Sequence, residues 1–195
     1  MNSADAASDG DKIRRIALHQ MMTDMKGRKV REGSTRHMRF VVRRCRPGDL
    51  PGVARLAACL VREHHAVDPD RFFTFDRIEE GYAAYLRGEL DKKRSIVLVA
   101  ARGKSIVGYA YGRIEPRDWN ALRDRCGMLH DVYVDERVRR RGVAARLVEE
   151  VVAQLAALGA PRVILMTTTR NKAAQRLFRR LGFRTTMFEL TREIR

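Results

Sequence analysis

A short basic turn, residues 139–144, is the stretch whose residue types could do chemistry most directly, and it reads Arg-Arg-Arg-Gly-Val-Ala. An apolar run, Met128 to Val134, precedes the turn, and a stretch of helical periodicity, Val143 to Leu158, follows it. The first turn of a helix leaves backbone N–H groups without intrahelical partners, and the helix dipole adds partial positive charge there. Gly142 and Ala144 leave room for a ligand near the backbone, while the arginines add charge and donors. The turn therefore predicts a site for a pyrophosphate or a similar anion.

This turn matches neither of the two common nucleotide-binding motifs. It lacks the Gly-Lys-Ser/Thr ending of a Walker A loop, and it has one glycine where the dinucleotide fingerprint has three. A basic helix start with a single glycine is common by itself. The elements around the turn must therefore decide what it binds.

Hydrophobic periodicity from residue 39 onward predicts the elements that position the turn. Their order is β-α-α-β-β-β-α-β-α-β, which indicates one α/β (α+β) domain. Asp49 is predicted to cap the first helix, Asp76 and Glu79 fit a capping box for the second, and Asn171 is predicted to cap the last. The predicted strands are Arg39 to Cys45, Ser95 to Ala101, Ile106 to Glu115, Met128 to Val134, Arg162 to Thr168 and Phe183 to Glu193.

The 195 residues suffice for one domain with a sizeable core. We interpret residues 1–38 as a basic, disordered N-terminal extension and residues 39–195 as the domain. No run of about 18 apolar residues predicts a membrane span, and the N-terminus lacks the apolar core of a secretory signal. The three cysteines include no Cys-x-x-Cys pair, which argues against a disulfide framework and a zinc site. These features favour a cytoplasmic protein without a bound metal.

In this context the sequence resembles the GNAT superfamily of acetyl-CoA-dependent N-acetyltransferases. The resemblance is carried by the strand Leu129 to Val134, the turn Arg139 to Ala144, the stretch Asn171 to Phe178 and the tail Leu181 to Phe183. The element order over residues 39–193 is similar to a whole GNAT domain. The resemblance therefore implies a single domain whose central mixed, twisted sheet is flanked by helices. The resemblance implies that an acetyl group passes from acetyl-CoA to a primary amine of a small molecule or a protein by direct attack.

The resemblance also implies how acetyl-CoA, the co-substrate, is held. The pyrophosphate is expected on the backbone amides of Arg140 to Ala145. The pantetheine arm is expected along the strand segment Val132 to Val134, which splays from the next strand, Arg162 to Thr168, to admit the arm. Asn171 and the helix after it are expected to flank the arm near its sulfur. The implied cofactor-binding residues are Val132, Tyr133, Val134, Arg139, Arg140, Arg141, Gly142, Val143, Ala144, Ala145, Asn171, Ala174 and Phe178.

Direct attack requires that the acceptor ammonium, with an unperturbed pKa of about 10, lose a proton. The candidate catalytic residues are His130, Asp131, Glu115 and Tyr133. Strand alternation places Asp131 and Tyr133 on one face and His130 on the other, so we expect only one of His130 and Asp131 to point at the substrate. The backbone N–H near Val132 is the expected donor to the oxyanion. The alternative is that one of His130 and Asp131 simply hydrogen-bonds a neighbouring loop.

Phe178 departs from the family pattern, in which a tyrosine often serves as the general acid for the departing thiolate. Phenylalanine cannot donate a proton. Tyr133 or water must serve instead, or the thiolate, with a cysteine-like pKa of roughly 8.5, leaves unassisted.

The segment between the first two helices lies where the family forms its acceptor wall. Core packing is the simpler interpretation for most of its aromatic residues, which are Phe72, Phe73, Phe75, Tyr82 and Tyr85. Its acidic residues could attract a cationic amine, and they are Asp68, Asp70, Asp76 and Glu79. Because family members often form homodimers, a homodimer is a further expectation.

The formal net charge of +16, from 40 Lys+Arg and 24 Asp+Glu, supports a different class of function. Such a charge favours an anionic partner such as nucleic acid, a membrane surface or a phosphorylated ligand. Arginine is scattered through every segment rather than confined to one stripe, which is also expected when surface positions drift to arginine. The alternative function is therefore a nucleic-acid-associated basic binding protein that retains the fold without catalysis.

Overall fold

Five strands form one mixed sheet in the computed structural model, which describes residues 40–194. They are β1 (Val41–Arg44), β2 (Ser95–Arg102), β3 (Ser105–Glu115), β4 (Cys126–Val134) and β5 (Val163–Leu165), and they lie in that order across the sheet. Neighbouring strands from β1 to β4 are antiparallel, whereas β5 is parallel to β4. The predicted fold class is confirmed. The predicted basic extension over residues 1–38 lies outside the described residues.

Within residues 40–194, four helices flank the sheet, namely α1 (Leu50–Val67), α2 (Ile78–Leu90), α3 (Val143–Ala157) and α4 (Lys172–Arg180). The side chains of β3 show which helix covers which face. Tyr111 is buried in one cluster with residues of α1 and α2. At the next position, a Cβ on Gly112 would lie 2.9 Å from the Val151 side chain of α3. Because successive strand residues point to opposite faces, α1 and α2 cover one face, and the missing side chain lets α3 approach the other.

The ladder between β3 and β4 contains one irregularity, and it falls at the centre of the sheet. Tyr111 pairs with Asp131 and Gly112 pairs with Leu129, so that His130 is an extra residue of β4. Such a β-bulge bends its strand and increases the local twist. The parallel ladder between β4 and β5 covers only three residue pairs and ends at Leu129, immediately before the bulge. Beyond the bulge, β4 has no strand partner on that edge among residues 40–194.

The last predicted strand, Phe183 to Glu193, is wrong, because residues 183–194 form no regular secondary structure. Their alternation of polar and apolar residues satisfies the pattern of a strand, but a strand also needs a paired edge. Strand β5 has only three residues, and its recorded ladder is to β4. The tail instead leaves Met187, Phe188 and Leu190 exposed, and Glu189 forms an ion pair with Arg71.

Of the three predicted helix caps, the one at Asp76 is wrong. Asp49 is the N-cap residue of α1, as predicted, but its side chain makes no capping bond to that helix. The Asp49 carboxylate accepts from Arg43 Nη1 at 2.6 Å and from the Arg46 amide at 2.8 Å, because a short 3-10 turn over Pro47–Asp49 precedes α1. The N-cap residue of α2 is Arg77, which adopts the left-handed conformation and whose side chain makes no capping hydrogen bond. The predicted cap at Asn171 is confirmed, since its Oδ1 accepts from the Ala174 amide at 3.0 Å.

In the described part of the chain, none of the helices combines the length and the apolar character needed to span a bilayer. Across residues 40–194, no group of three or more His, Cys, Asp or Glu side chains is placed to hold a metal ion.

Candidate functional site

The bulge in β4 turns His130 and Asp131 toward the same side of the sheet. Both side chains line one pocket, together with Tyr111 of β3. The expectation that only one of the two could face a substrate is therefore wrong. Strict alternation holds for a regular ladder, whereas the extra residue of a bulge re-aims a side chain. The sequence offers no signal for the bulge, because the apolar run of β4 continues on both sides of it.

His130 is held by an ion-paired carboxylate. Its Nε2 lies 2.8 Å from Glu115 Oε1, and its ring stacks on the Tyr111 ring with centroids 5.1 Å apart. Arg113 donates to both Glu115 oxygens, at 2.7 and 3.0 Å, and these bonds hold the pKa of Glu115 below its usual range. Glu115 is therefore an acceptor at neutral pH. Nε2 of His130 then carries the hydrogen, and Nδ1 is left as the basic nitrogen.

A second buried carboxylate, Glu89, anchors the ring on which His130 stacks. Glu89 is only 2% exposed, and it accepts hydrogen bonds from the Tyr111 hydroxyl at 2.9 Å and from Ser95. Lys92 forms an ion pair with the same carboxylate. Sequence reasoning missed Glu89 and Tyr111. The available signal was a charged residue on the apolar face of α2, three positions after buried Leu86.

Asp131 has a different environment. The Tyr109 hydroxyl donates to its Oδ2 at 3.2 Å, and burial raises the pKa of Asp131 despite that bond. Desolvation disfavours the charged form of a carboxyl, which explains the direction of the shift. Asp131 is thus a carboxylate that a cation entering the pocket would stabilise.

The pocket itself has a volume of about 410 Å³ and is mostly aromatic. Residues of the loop before α2 and of α2 itself form its outer wall, and the bulged segment of β4 forms its floor. The lining residues are Phe73, Phe75, Gly81, Tyr82, Tyr85, Tyr111, His130 and Asp131. A cleft of this size suits a small organic molecule.

Beyond the bulge, some backbone N–H and C=O groups of β4 point away from β3, toward the edge of the sheet. The Gly127 amide donates toward the β5 side, to Arg162 O at 2.9 Å, while the Asp135 amide donates toward β3, to Val107 O at 3.0 Å. Because alternate amides of a strand point the same way, Val132 and Val134 have their N–H and C=O groups on the edge that β5 has left. A partner in extended conformation can hydrogen-bond there.

The basic turn begins α3 without a side-chain cap. Gly142 is the N-cap residue, with φ of 79°, and as a glycine it has no side chain with which to cap the first-turn amides. The first recorded bond of the helix runs from the Arg146 amide to Gly142 O at 3.0 Å. The preceding amides, those of Val143, Ala144 and Ala145, therefore have no acceptor within the helix. A Cβ at Gly142 would meet nothing within 4 Å, so this end is open.

The three arginines of the turn differ in their surroundings. Arg139 Nη2 donates to Glu63 at 2.9 Å, its Nε donates to Val134 O at 3.0 Å, and its guanidinium lies over the Tyr133 ring. Arg140 and Arg141 are exposed, and Arg140 adopts the left-handed conformation with φ of 62°. Left-handed residues in a turn favour convergence of backbone N–H groups on an anion.

Tyr133 lies on the same face as Asp131 but is engaged elsewhere. Its hydroxyl donates to Glu63 Oε1 at 2.6 Å, and burial, with that bond, raises the pKa of Tyr133. A raised pKa makes the phenol a weaker acid. Sequence reasoning missed Glu63, which orients both Tyr133 and Arg139.

Helix α4 places the remaining predicted residues. The Asn171 side chain caps the helix at Ala174, which is half-buried. Phe178 is buried, and its ring meets the Phe183 ring edge-on with centroids 5.8 Å apart. Phe178 therefore packs α4 against the chain that follows it.

Comparison with known proteins adds to this geometry. The model of a family described as "Acetyltransferase (GNAT) family" matches residues 55–183. An uncharacterized N-acetyltransferase, YhfO of Bacillus subtilis, is 24% identical over 104 residues, which are 53% of this chain and 68% of YhfO. The D-amino-acid N-acetyltransferase HPA3 of Saccharomyces cerevisiae is 30% identical over 79 residues, which are 40% of this chain and 48% of HPA3.

Solved structures share the fold. The BH1408 protein from Bacillus halodurans, as a tetramutant, superposes with a TM-score of 0.69 at 19% identity, covering 79% of this chain and 99% of that one. The aminoglycoside N-acetyltransferase AAC(6')-Iy, in complex with CoA, gives a TM-score of 0.62 at 19% identity over 86% of this chain and 99% of that one.

Proposed function

We propose that this chain, which belongs to the acetyltransferase (GNAT) family and is an acetyl-CoA-dependent acyltransferase, transfers the acetyl group to a primary amine of a small molecule or a protein. One observation carries the proposal. The unpaired edge of β4, from the bulge to Val134, joins the uncapped start of α3 to the aromatic pocket. Acetyl-CoA needs such a row of three sites: one for its pyrophosphate, one for its long pantetheine arm and one for the thioester beside the acceptor.

The uncapped turn is the proposed site of the pyrophosphate. The amides of Val143, Ala144 and Ala145 supply donors, and the exposed side chains of Arg140 and Arg141 supply positive charge. Arg139 is proposed to act mainly by holding the turn, because its guanidinium is already bound to Glu63.

The open edge of β4 is the proposed site of the arm. The amide groups of the arm would pair with the backbone at Val132 and with the Val134 N–H, in the manner of an added strand, while the Val134 C=O accepts from Arg139 Nε. The Val132 N–H lies next to Asp131 at the floor of the pocket, and it is the proposed donor to the oxyanion that forms during transfer. Asn171 and Ala174, at the start of α4, are proposed to lie beside the arm.

His130 is the proposed general base. Glu115 fixes the hydrogen on Nε2, so that Nδ1 can accept a proton from the amine or from an intervening water. Glu115 does not line the pocket, and we assign it a positioning role. The Tyr133 hydroxyl is committed to Glu63, and Phe178 has no proton to give. Water, or unassisted departure of a thiolate with a pKa of roughly 8.5, therefore completes the reaction.

The nucleic-acid-associated alternative is not favoured. The nucleic-acid alternative was supported only by the net charge of +16. A protein that binds nucleic acid through a basic surface has no need of an uncapped helix start beside an aromatic pocket. Binding to DNA that is strongly weakened by salt, in a protein without acetyl-transfer activity, would restore it.

Calorimetry with acetyl-CoA tests the cofactor half of the site through Gly142→Glu. The new carboxylate would lie where the pyrophosphate is proposed to bind, so we expect acetyl-CoA binding to weaken at least tenfold. Gly103→Glu is a matched control: Gly103 also has a positive φ, of 58°, with nothing within 4 Å of an added Cβ, and it lies in the β2–β3 turn. Equal affinities for the two variants, or no acetyl-CoA binding by the unmodified chain, would contradict the proposal.

A further inference from the structure

The pocket in front of His130 and Asp131 is walled by aromatic rings set at steep angles to one another. Tyr82 and Tyr85 meet at 84° with centroids 6.4 Å apart, and Tyr85 and Tyr111 meet at 87° with centroids 5.8 Å apart. Such a wall presents ring faces and ring edges to the same space. Ring faces attract a cation, and the rings also pack against an apolar body.

Several of these rings are exposed although they are large and apolar. Phe73 is 74% exposed, Phe75 is 44% exposed and Tyr85 is 49% exposed. Core packing does not account for these three exposed rings, so the expectation that they pack in the core is wrong for Phe73, Phe75 and Tyr85. Exposed apolar side chains that cluster at the mouth of a cleft are typical of a binding site.

The charge of the pocket is small. In the described part of the chain, Asp131 is the single carboxylate among its lining residues. The acids at the start of α2 are already paired, Glu79 with Arg62 at 2.9 Å and Glu80 with Arg77. Of the four acids expected to attract a cationic amine, Glu79 is thus compensated by Arg62, and none of the four lines the pocket. A ligand with several positive charges would meet one carboxylate, that of Asp131, among aromatic rings.

From these observations we infer that the acceptor is an aralkylamine, a primary amine with one positive charge and an aromatic body. This inference rests on the proposed function and narrows it. The ammonium lies at Asp131, within reach of His130, and the aromatic body lies between the rings of α2 and of the preceding loop. The volume of about 410 Å³ is near the small end of ligand pockets, which span roughly 300–1,000 Å³.

A panel of amines tests the inference with the full chain and acetyl-CoA. The panel consists of 2-phenylethylamine, the polyamine spermidine and the aminoglycoside kanamycin, and the N-acetylated product is quantified for each. We expect kcat/KM for 2-phenylethylamine to exceed the other two values at least tenfold. Preferred acetylation of spermidine or kanamycin would overturn the inference and leave the proposed function standing. Absence of acetylated product from every amine of the panel would overturn the inference, and absence of product from a lysine-containing peptide as well would overturn the proposed function.

Three variants test the aromatic wall. Tyr85→Leu removes a ring that is half exposed, so folding is preserved, and we expect KM for 2-phenylethylamine to rise about tenfold. Tyr85→Phe keeps the ring and is expected to keep KM within a few-fold. Trp119→Leu removes an aromatic side chain that is 76% exposed but lies outside the pocket, and it should leave KM unchanged. The same KM for Tyr85→Leu as for Trp119→Leu, with acetyl-CoA affinity retained, would overturn the inference.

Discussion

Replacement of Asp131 by asparagine should make the protein more stable while making it a poorer enzyme. The Asp131 carboxyl accepts one recorded hydrogen bond, from Tyr109 at 3.2 Å, and burial raises its pKa. A carboxyl whose pKa is higher in the folded than in the unfolded chain destabilises the fold when it is ionised. Asparagine has the same shape, can still accept from Tyr109, and carries no charge to desolvate.

The sign of the pH dependence follows from the direction of the shift. Below the ordinary pKa of an aspartate both states of the chain are protonated at Asp131, so Asp131→Asn should change little. As the pH rises from the ordinary pKa of an aspartate to the raised pKa of Asp131, the unmodified protein acquires the penalty and the variant does not. At neutral pH we expect the variant to gain about 1 kcal/mol in free energy of unfolding. For a chain of this length that gain corresponds to a rise in Tm of about 2–4 °C.

Thermal unfolding is followed by circular dichroism at several pH values, from below the ordinary pKa of an aspartate up to neutral pH, and it measures the difference in stability. Asp124→Asn is the control, because Asp124 is exposed and its bond from Arg117 lowers its pKa, so that its removal should bring no gain. A variant at Asp131 that is no more stable than the unmodified protein at neutral pH would refute the reasoning. A gain that stays constant with pH would also refute it, because the gain would then not come from titration of Asp131.

Three further predictions concern the base, the thiolate and the helix cap. His130→Gln should lower kcat by about 10² or more. Glu115→Gln should lower kcat less and change the pH profile of kcat. If neither variant changes the pH profile of kcat, neither residue takes part in catalysis. Phe178→Tyr should leave the Kd for acetyl-CoA roughly unchanged in calorimetry, and a large loss of affinity would mean that Phe178 contacts the cofactor differently. Asn171→Ala should lower the free energy of unfolding by about 1 kcal/mol in urea titrations, because it removes the acceptor of the Ala174 amide. A smaller loss for Asn171→Asp would identify the cap as the cause.

The sequence predicted the elements of the sheet and the basic turn because hydrophobic period and turn residues are local properties. The strand around Leu129 and the helix after Gly142 have strong patterns that tertiary contacts reinforce. The cap at Asn171 was predictable for the same reason, since a capping bond spans only three residues.

The catalytic half depends on contacts that sequence patterns do not record. The bulge at His130 arises where β3 and β4 shift register, and it reverses the predicted orientation of the His130 side chain. Glu89 of α2 meets Arg113 of β3, and His130 of β4 meets Glu115 of β3, and such contacts between elements cannot be read from sequence spacing. The final strand failed for a related reason, because an alternating pattern shows which residues could pair but not whether an edge is available.

Formation of an acetylated amine by the full chain tests the central claim most directly. Free thiol and N-acetylated product are measured together in a reaction that contains acetyl-CoA and 2-phenylethylamine. We predict equal amounts of the two products, with both reduced strongly in His130→Gln. Thiol release without an acetylated amine, or no consumption of acetyl-CoA with any primary amine, would contradict the claim that the pocket at the bulge of β4 carries out acetyl transfer.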